Sequence, residues 1–517
     1  MTTVENATFT EHFKRISCNM LENELSTVTV LILTFLVNLL LMKNYFVRKK
    51  QRSPPGPWGL PVLGHLPFFG PSPPKTFARW QQTYGHVFRI RLGSWRTVVL
   101  NGYDVIKEAA DKGDDFSGRP GFVTQDIIKS LNGETSFAFG PFNDEYLHRR
   151  KIVTSALRMF TTNNKKLTEE LIVEEANRLV LNLVQKGKLT TPIAIKDEIQ
   201  YAVGSIVYQF LYGRGKPITN EHLRKMVDGT NKFIKFTGNG NPFDVMPWLK
   251  YVMPSRISRF TAMLAESGRV RRQQIQDHVD TFTEHILRDM ADALIAADIG
   301  ETSGSGQRIS RSRLLATLGD LQGAGFDTTN KTLQWLILYM ATFPRVQTKV
   351  QAEIDEVVGA GRHLTSADKP ALVYTEATIT EVLRLAAITP FGLPKFTTCD
   401  TTIGGYDINK DTVVFFNQFS SCYELDFWGD PEAFRPERFI TDGGKLDQTK
   451  ISHVMTFGLG RRRCVGEAFA RLQVFVVFST LMQRCRFVNP RDVVYDLDPV
   501  PGLVYSPKDF LVIVKER

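Results

Sequence analysis

Phe457-Gly458-Leu459-Gly460-Arg461-Arg462-Arg463-Cys464-Val465-Gly466 sets one cysteine between a glycine-rich loop and the start of an apolar segment. Downstream, Phe469, Leu472, Val474, Phe475, Val476, Val477, Phe478, Leu481 and Met482 surround nearly the whole helical circumference, the pattern of a helix buried inside a large domain. A thiol at the N-terminus of that helix sits in the field of unpaired N–H groups, which favours the thiolate, the form that ligates metal. Gly460 and Gly466 keep bulk low around the sulfur, so a flat macrocycle could approach the backbone. Taken alone, a buried cysteine is more often a small hydrophobe. A dinucleotide loop is excluded because Arg463 stands where its third glycine belongs, and zinc lacks a second cysteine at ligand spacing.

Other stretches add to this one. Gly323-Ala324-Gly325-Phe326-Asp327-Thr328-Thr329 lies inside a helical run over 314–343, where two glycines and two threonines are poor helix formers; close helix packing at Gly323 and Gly325 is the plainest explanation. In Tyr146-Leu147-His148-Arg149-Arg150-Lys151, Tyr146 and Arg150 stand one turn apart on a helix, while His148 and Arg149 read as a solvated basic face. Glu381-Val382-Leu383-Arg384 places opposite charges at i, i+3, and Pro436-Glu437-Arg438-Phe439 supplies a second arginine. Leu393-Pro394-Lys395-Phe396 holds a lone cation.

In this order the motifs resemble those of the cytochrome P-450 family, over essentially everything from the proline-rich segment to Arg517. The resemblance implies a mainly α fold with a small β-sheet subdomain. It implies haem b, with Cys464 as the proximal metal ligand and Phe457, Gly458, Arg462 and Gly466 around it. Arg150 and Tyr146 would flank the haem, Tyr146 standing where the family usually carries Trp, and Lys395 would stand near a propionate where relatives often place His or Arg. Ala324 and Gly325 would form the oxygen-binding groove, with Thr328 and Asp327 as the proton-delivering pair. Glu381, Arg384 and Arg438 would form a buried triad serving folding and haem retention.

Length and composition agree with one large or two ordinary cores: 517 residues, 43% hydrophobic, 23% charged. Five widely spaced cysteines, Cys18, Cys399, Cys422, Cys464 and Cys485, argue against a disulfide framework. The net charge of +10 comes without a basic arm or stacking motif, which points away from nucleic acid and towards a membrane surface and an acidic protein partner. An uncharged run over 25–42 is long enough to span a bilayer and lacks a cleavage site, so it reads as an anchor. Lys43, Arg48, Lys49, Lys50 and Arg52 follow it, which predicts residues 1–24 in the lumen, with Asn6-Ala7-Thr8 as a glycosylation sequon, and a cytosolic catalytic part. Residues 43–57, closing with Ser53-Pro54-Pro55-Gly56-Pro57, read as a basic, stiff hinge before a domain over 58–517. A hairpin is expected over 87–92 and 97–100, and helices over 77–84, 167–184, 282–297, 314–343 and 345–358.

The family's activity is monooxygenation. The resemblance therefore implies electrons from NADPH through a cytochrome P-450 reductase, with cytochrome b5 as an optional second donor, at the endoplasmic reticulum membrane. Phe116-Ser117-Gly118-Arg119-Pro120 and the Cys464 loop resemble the microsomal animal enzymes, including steroid 17-alpha-hydroxylases and aryl-hydrocarbon hydroxylases, which implies a steroid-like or polycyclic aromatic substrate. Segments 121–137, 225–236, 318–328, 388–393 and 502–504 are expected to line its pocket, with Phe122, Phe233, Phe236, Phe326 and Phe391 facing it. Two rival functions use the same cysteine: a haem-thiolate isomerase, against which the Asp327-Thr328 pair counts, and a non-catalytic haem-binding membrane protein.

Overall fold

The computed structural model describes Phe35 and residues 52–163, 165–187, 191–214, 220–237, 241–283, 286–305, 311–491 and 493–517. The expected lumenal tail with Asn6 and Cys18, and the expected anchor apart from Phe35, lie outside the described residues. Among the described residues no helix is long and apolar enough to cross a membrane. The chain divides into two compact units, residues 1–54 with Gly405–Ile408, and residues 55–404 with 409–517. In the first, the Arg52 N–H donates to Asp407 Oδ2 at 2.9 Å and the Asp407 N–H to the Arg52 carbonyl at 3.0 Å.

The second unit is mainly helical. Its helices include Lys165–Lys186, Lys196–Tyr212, Arg311–Thr342, Pro344–Val357, Val373–Ala386 and Glu467–Arg484. The long helix Arg311–Thr342 packs against Lys196–Tyr212, and Glu467–Arg484 against Lys165–Lys186. Phe210 stacks on Phe469 with centroids 4.0 Å apart and ties the two pairs together. Phe475, Val476, Phe478, Leu481 and Met482 are all at most 1% exposed, as a helix apolar around its whole circumference requires. The helix expected over 282–297 begins instead at Met290, because the Asp289 carboxylate accepts the Asp292 N–H at 3.0 Å and caps the chain there.

The small sheet has the order Val87–Leu92, Trp95–Asn101, Val413–Asn417, Lys395–Phe396. Its first pair is the expected hairpin, with Leu92 opposite Trp95; Trp95–Asn101 then runs parallel to Val413–Asn417. The hairpin turns at Gly93, whose φ of +56° is left-handed and whose Cβ would lie 2.4 Å from the Val245 carbonyl oxygen, so glycine alone fits. On the far edge, Lys395 pairs with Val414, and this two-residue strand fixes where the lysine points. The Arg89 N–H donates to the Pro55 carbonyl at 2.7 Å, so the proline-rich segment from Pro55 onward lies along the first strand.

Candidate active site

The long helix, the loop before Glu467–Arg484 and the helix Asp144–Arg158 share a cavity of about 1020 Å³. Cys464, Phe457, Gly458, Arg462 and Gly466 line it from the loop. Tyr146 and Arg150 line it from Asp144–Arg158, Lys395 from the sheet edge, and Ala324, Gly325, Asp327 and Thr328 from the long helix. Every expected cofactor and catalytic side chain therefore meets in one space. The triad Glu381, Arg384 and Arg438 lies apart from it.

The cysteine loop is shaped by backbone bonds. The Cys464 N–H donates to the Phe457 carbonyl at 2.9 Å, and Gly458 and Gly460 take left-handed φ values of +71° and +73°. Gly460 is required at a close approach of backbones, since its Cβ would meet the Ala110 carbonyl oxygen at 3.0 Å; Gly466 borders open space. The accessible face of Cys464 is its cavity face, so the residue is open by area while protein encloses the thiol. Burial is the leading influence and raises the thiol pKa, aided by Glu467, whereas the Gly466 N–H, Arg150 and Arg463 pull it down. The helix-start field expected to favour the thiolate is thus present in the Gly466 N–H but is outweighed by desolvation in the protein alone.

Beside this loop three cations cluster, Arg119 and Lys395 buried and Arg462 half-buried. Arg119 is 8% exposed and Lys395 6%, and the Arg462 guanidinium sits 3.7 Å from the Tyr146 ring centroid. Arg119 donates to the carbonyls of Ala138 and Pro394, and Arg462 to those of Ser117 and Gly140, while Arg462 Nη1 is buried without a partner. Desolvation and mutual repulsion bring Arg119 down to about 9 and push Lys395 well below its usual range. No carboxylate among the described residues pairs with any of the three. An uncompensated buried charge is costly, so the cluster fits a group that brings its own negative charge.

The long helix leaves the matching space. A Cβ on Gly323 would meet nothing within 4 Å, and one on Gly325 would make only an ordinary 3.6 Å contact with Val207. Close helix packing, the plain explanation for these glycines, therefore fails. A flat dianion with a central metal fits such a room, between a thiol, three unpaired cations and a helix stripped of side chains.

Comparison with known proteins decides the family. The family model described as "Cytochrome P450" matches residues 54–514. The chain belongs to the cytochrome P450 family. It is 34% identical over 466 residues to cytochrome P450 1A2 of Felis catus, covering 88% of this chain and 90% of the relative. To cytochrome P450 1A1 of Rattus norvegicus it is 35% identical over 472 residues, covering 89% of each, and to cytochrome P450 1A2 of Homo sapiens 33% over 466 residues. Membership makes the protein a monooxygenase of a haem-binding family, with similarity to the aryl-hydrocarbon hydroxylase type.

Within the family frame several expectations change. Arg150 donates to the Tyr146 hydroxyl at 3.3 Å and to the Arg463 carbonyl at 2.7 Å. Arg149 is buried, not solvated: it donates to the Thr135 carbonyl and to Thr317 Oγ1, under the Phe137 ring. Sequence reasoning passed over Arg119 as a site residue, although it stood in a quoted motif. The missing signal was tertiary, since only folding brings residues 119, 395 and 462 together.

Asp327 is 6% exposed and pairs with Lys331 Nζ at 3.0 Å; burial raises its pKa and Lys331 partly offsets this. Thr328 Oγ1 donates to the Ala324 carbonyl at 2.8 Å. Of the five phenylalanines expected to face a ligand, only Phe233 lines the cavity. Phe326 is fully buried, Phe236 stacks on Phe260 at 3.9 Å, Phe122 packs edge-on to Trp95, and Phe391 contacts Phe77 and Phe415. The expected pocket segments do contribute, through Gln125, Phe233, Gly323, Ile388 and Val504.

Glu381 and Arg384 are 0% exposed and form a two-point pair at 2.7 and 2.9 Å, and Arg438 Nε donates to Glu381 Oε1 at 3.0 Å. The Arg435 N–H adds a fourth bond to this carboxylate at 2.9 Å. On the cysteine side, Arg461 pairs with Asp114 at 3.1 Å and Arg463 with Glu467 at 2.6 Å, so these exposed arginines are matched within the chain.

Proposed function

We propose that the chain hydroxylates a flat, lipophilic, steroid-like or polycyclic aromatic substrate, using electrons from NADPH delivered by a cytochrome P-450 reductase at the endoplasmic reticulum membrane. The observation that carries the reading is the cavity itself. Cys464, three clustered cations without carboxylate partners among the described residues and the open glycine face of the long helix share it. When bound, haem supplies the redox and oxygen chemistry, as cofactors generally do.

The chain's own residues then have separable tasks. Cys464 is assigned as metal ligand, and Arg119, Arg462 and Lys395 as the counter-charges that retain the cofactor's carboxylates, with Tyr146 and Arg150 bracing Arg462 and the loop. Thr328 Oγ1 gives its hydrogen to the Ala324 carbonyl, which leaves its lone pairs to receive a proton donor on the cavity side. Asp327, held by Lys331, is the nearest acid in sequence able to restore that proton, and burial makes its carboxyl easier to protonate. Apolar cavity walls exclude water from the reacting carbon.

The test is a reduced carbon-monoxide spectrum of the purified protein, followed by NADPH consumption with reductase across planar aromatics and steroids. A red-shifted thiolate band that Cys464→His abolishes, with substrate-dependent turnover, is expected. A band that survives Cys464→His would overturn the ligand assignment.

A further inference from the structure

Arg271 stands in the wall of the same cavity, away from the cations assigned to the cofactor. It comes from the helix Pro254–Asp280 and reaches across to the long helix, where its Nη1 lies 2.7 Å and its Cζ 3.1 Å from the place a Cβ on Gly319 would occupy. Only a glycine at 319 admits the guanidinium in this pose. The Nε of Arg271 is buried and has no hydrogen-bond partner, and no carboxylate among the described residues forms an ion pair with it.

Its nearest polar neighbours are the neutral Tyr212 hydroxyl, which shares a hydrogen bond with it, and the amide of Gln322. The Tyr212 hydroxyl lies beside it, and burial first of all lifts that phenol to about 12, with Arg271 opposing, so the phenol stays protonated. That hydroxyl donates to Gln322 Oε1 at 3.5 Å, which leaves the Gln322 amide N–H₂ free to donate into the cavity it lines. The adjacent acid, Asp320, is already occupied by Ser136 Oγ at 2.8 Å and the Ala138 N–H at 3.1 Å.

A planar guanidinium without a counter-ion, inside a cavity that otherwise suits a hydrocarbon, is a selective element. A neutral polycycle would cover this half-buried guanidinium with no counter-charge, the Tyr212 hydroxyl being its neutral partner, whereas a carboxylate would supply the charge. We infer that Arg271, with Gln322, is an anion-binding subsite, and that the preferred substrate is an amphipathic acid: a flat lipophilic body carrying a carboxylate. This rests on the monooxygenase reading of the cavity. Gly319 and Thr328 are nine residues apart, so at 1.5 Å per residue the carboxylate and the attacked carbon stand ~13.5 Å apart along the helix axis. That span asks for three or four fused rings, or a shorter ring system with an acidic side chain.

The experiment is equilibrium dialysis of the holoenzyme against pyrene-1-butyric acid and its methyl ester, which share the apolar body and differ in charge. The acid is expected to bind about tenfold or more tighter than the ester, the range of a charge-assisted hydrogen bond in a desolvated site. Arg271→Gln should bring the acid-to-ester ratio close to one and Arg271→Lys should restore part of it. Gly319→Ala, which displaces the guanidinium without touching its charge, should also lower the ratio. Equal binding of acid and ester by the parent protein, or a ratio that survives Arg271→Gln, would overturn the subsite. Oxidation of the ester with reductase and NADPH reports separately on the monooxygenase reading: an oxidised ester with a ratio near one sinks the subsite alone. A preserved ratio with no oxidation upholds the subsite and counts against the proposed substrate body.

Discussion

Replacing Glu381 by glutamine keeps the shape of the side chain and removes its charge. In the folded protein that carboxylate is fully buried and accepts four hydrogen bonds, two from Arg384, one from Arg438 and one from the Arg435 N–H. Glutamine keeps one acceptor oxygen and turns the other into an N–H₂ donor facing a guanidinium, so Arg384 loses one of its two side-chain bonds and its counter-charge and leans on the carbonyls of Cys422, Pro431 and Ala433, while Arg438 keeps Asp430, which is 43% exposed and at 3.0 Å a weaker compensation. Breaking a buried pair in this way costs roughly 3–5 kcal/mol. Unfolding entropy of about 2.1 cal/mol/K per residue over roughly 460 residues amounts to ~1 kcal/mol/K, so the midpoint should fall by about 3–5 °C. The assay is the temperature at which half of the haem absorption is lost. Lys349→Ala is the control: it removes a pair with Glu437 whose partners are 60% and 44% exposed, and should shift the midpoint by less than about 1 °C. If Glu381→Gln moved the midpoint no further than Lys349→Ala, burial and charge compensation would not be what this triad contributes.

Thr328→Ala should keep substrate binding and NADPH oxidation while diverting electrons into hydrogen peroxide, with Thr328→Ser close to the parent; equal peroxide yields for Ala and Ser would reduce Thr328 to a packing residue. Arg462→Gln should lower haem retention more than Arg461→Gln, because Arg462 lines the cavity with a buried, unpartnered Nη1 whereas Arg461 is exposed beside Asp114; haem content per protein after gel filtration decides it. His278 is buried against Asp289 at 3.0 Å, and although burial pulls its pKa down, the Asp289 carboxylate wins and raises it. Its contribution to stability is therefore fully present below about pH 6.5 and lost as pH rises through the higher folded value. Thermal midpoints measured at about pH 6 and pH 8.5 should differ less in His278→Asn than in the parent; an unchanged difference would remove this pair from the pH response.

The cysteine loop was legible because its information is local: one contiguous run holds the proposed ligand, the turn glycines and the helix start. The same holds for Glu381 and Arg384, three residues apart on one helix, and for the hairpin with its period-two pattern. What could not be read was set by distant packing. Periodicity does not distinguish Phe233, which lines the cavity, from Phe326, which is fully buried three residues after Gly323 on the long helix. Arg149 and Arg150 are adjacent in sequence, yet a turn of about 100° on the helix sends Arg149 into the core and Arg150 towards the cysteine loop. Helical periodicity also ran past Asp289, where a side-chain cap, not hydrophobicity, decides the start.

Buried arginines carry two opposite meanings in this protein, and their acceptors separate them. Arg384 and Arg438 surround a carboxylate supplied by the chain, so their charge is settled once the chain folds. Arg119, which is buried, and Arg462, which is half-buried, hydrogen-bond to carbonyl oxygens instead, and repulsion between them adds to the cost of burying Arg119. A fold that leaves such charges unmatched is less stable empty than filled, because anything binding the folded state alone adds its binding free energy to stability. Arg271 follows the second pattern, with a buried Nε and no carboxylate, but over Gly319 on the long helix instead of beside the cysteine loop. The proposed assignments thus give two places where a ligand would complete the charge balance. On the proposed reading the first takes a dianion that stays bound, and the second, in the wall of the same cavity, takes a single negative charge that arrives and leaves with substrate.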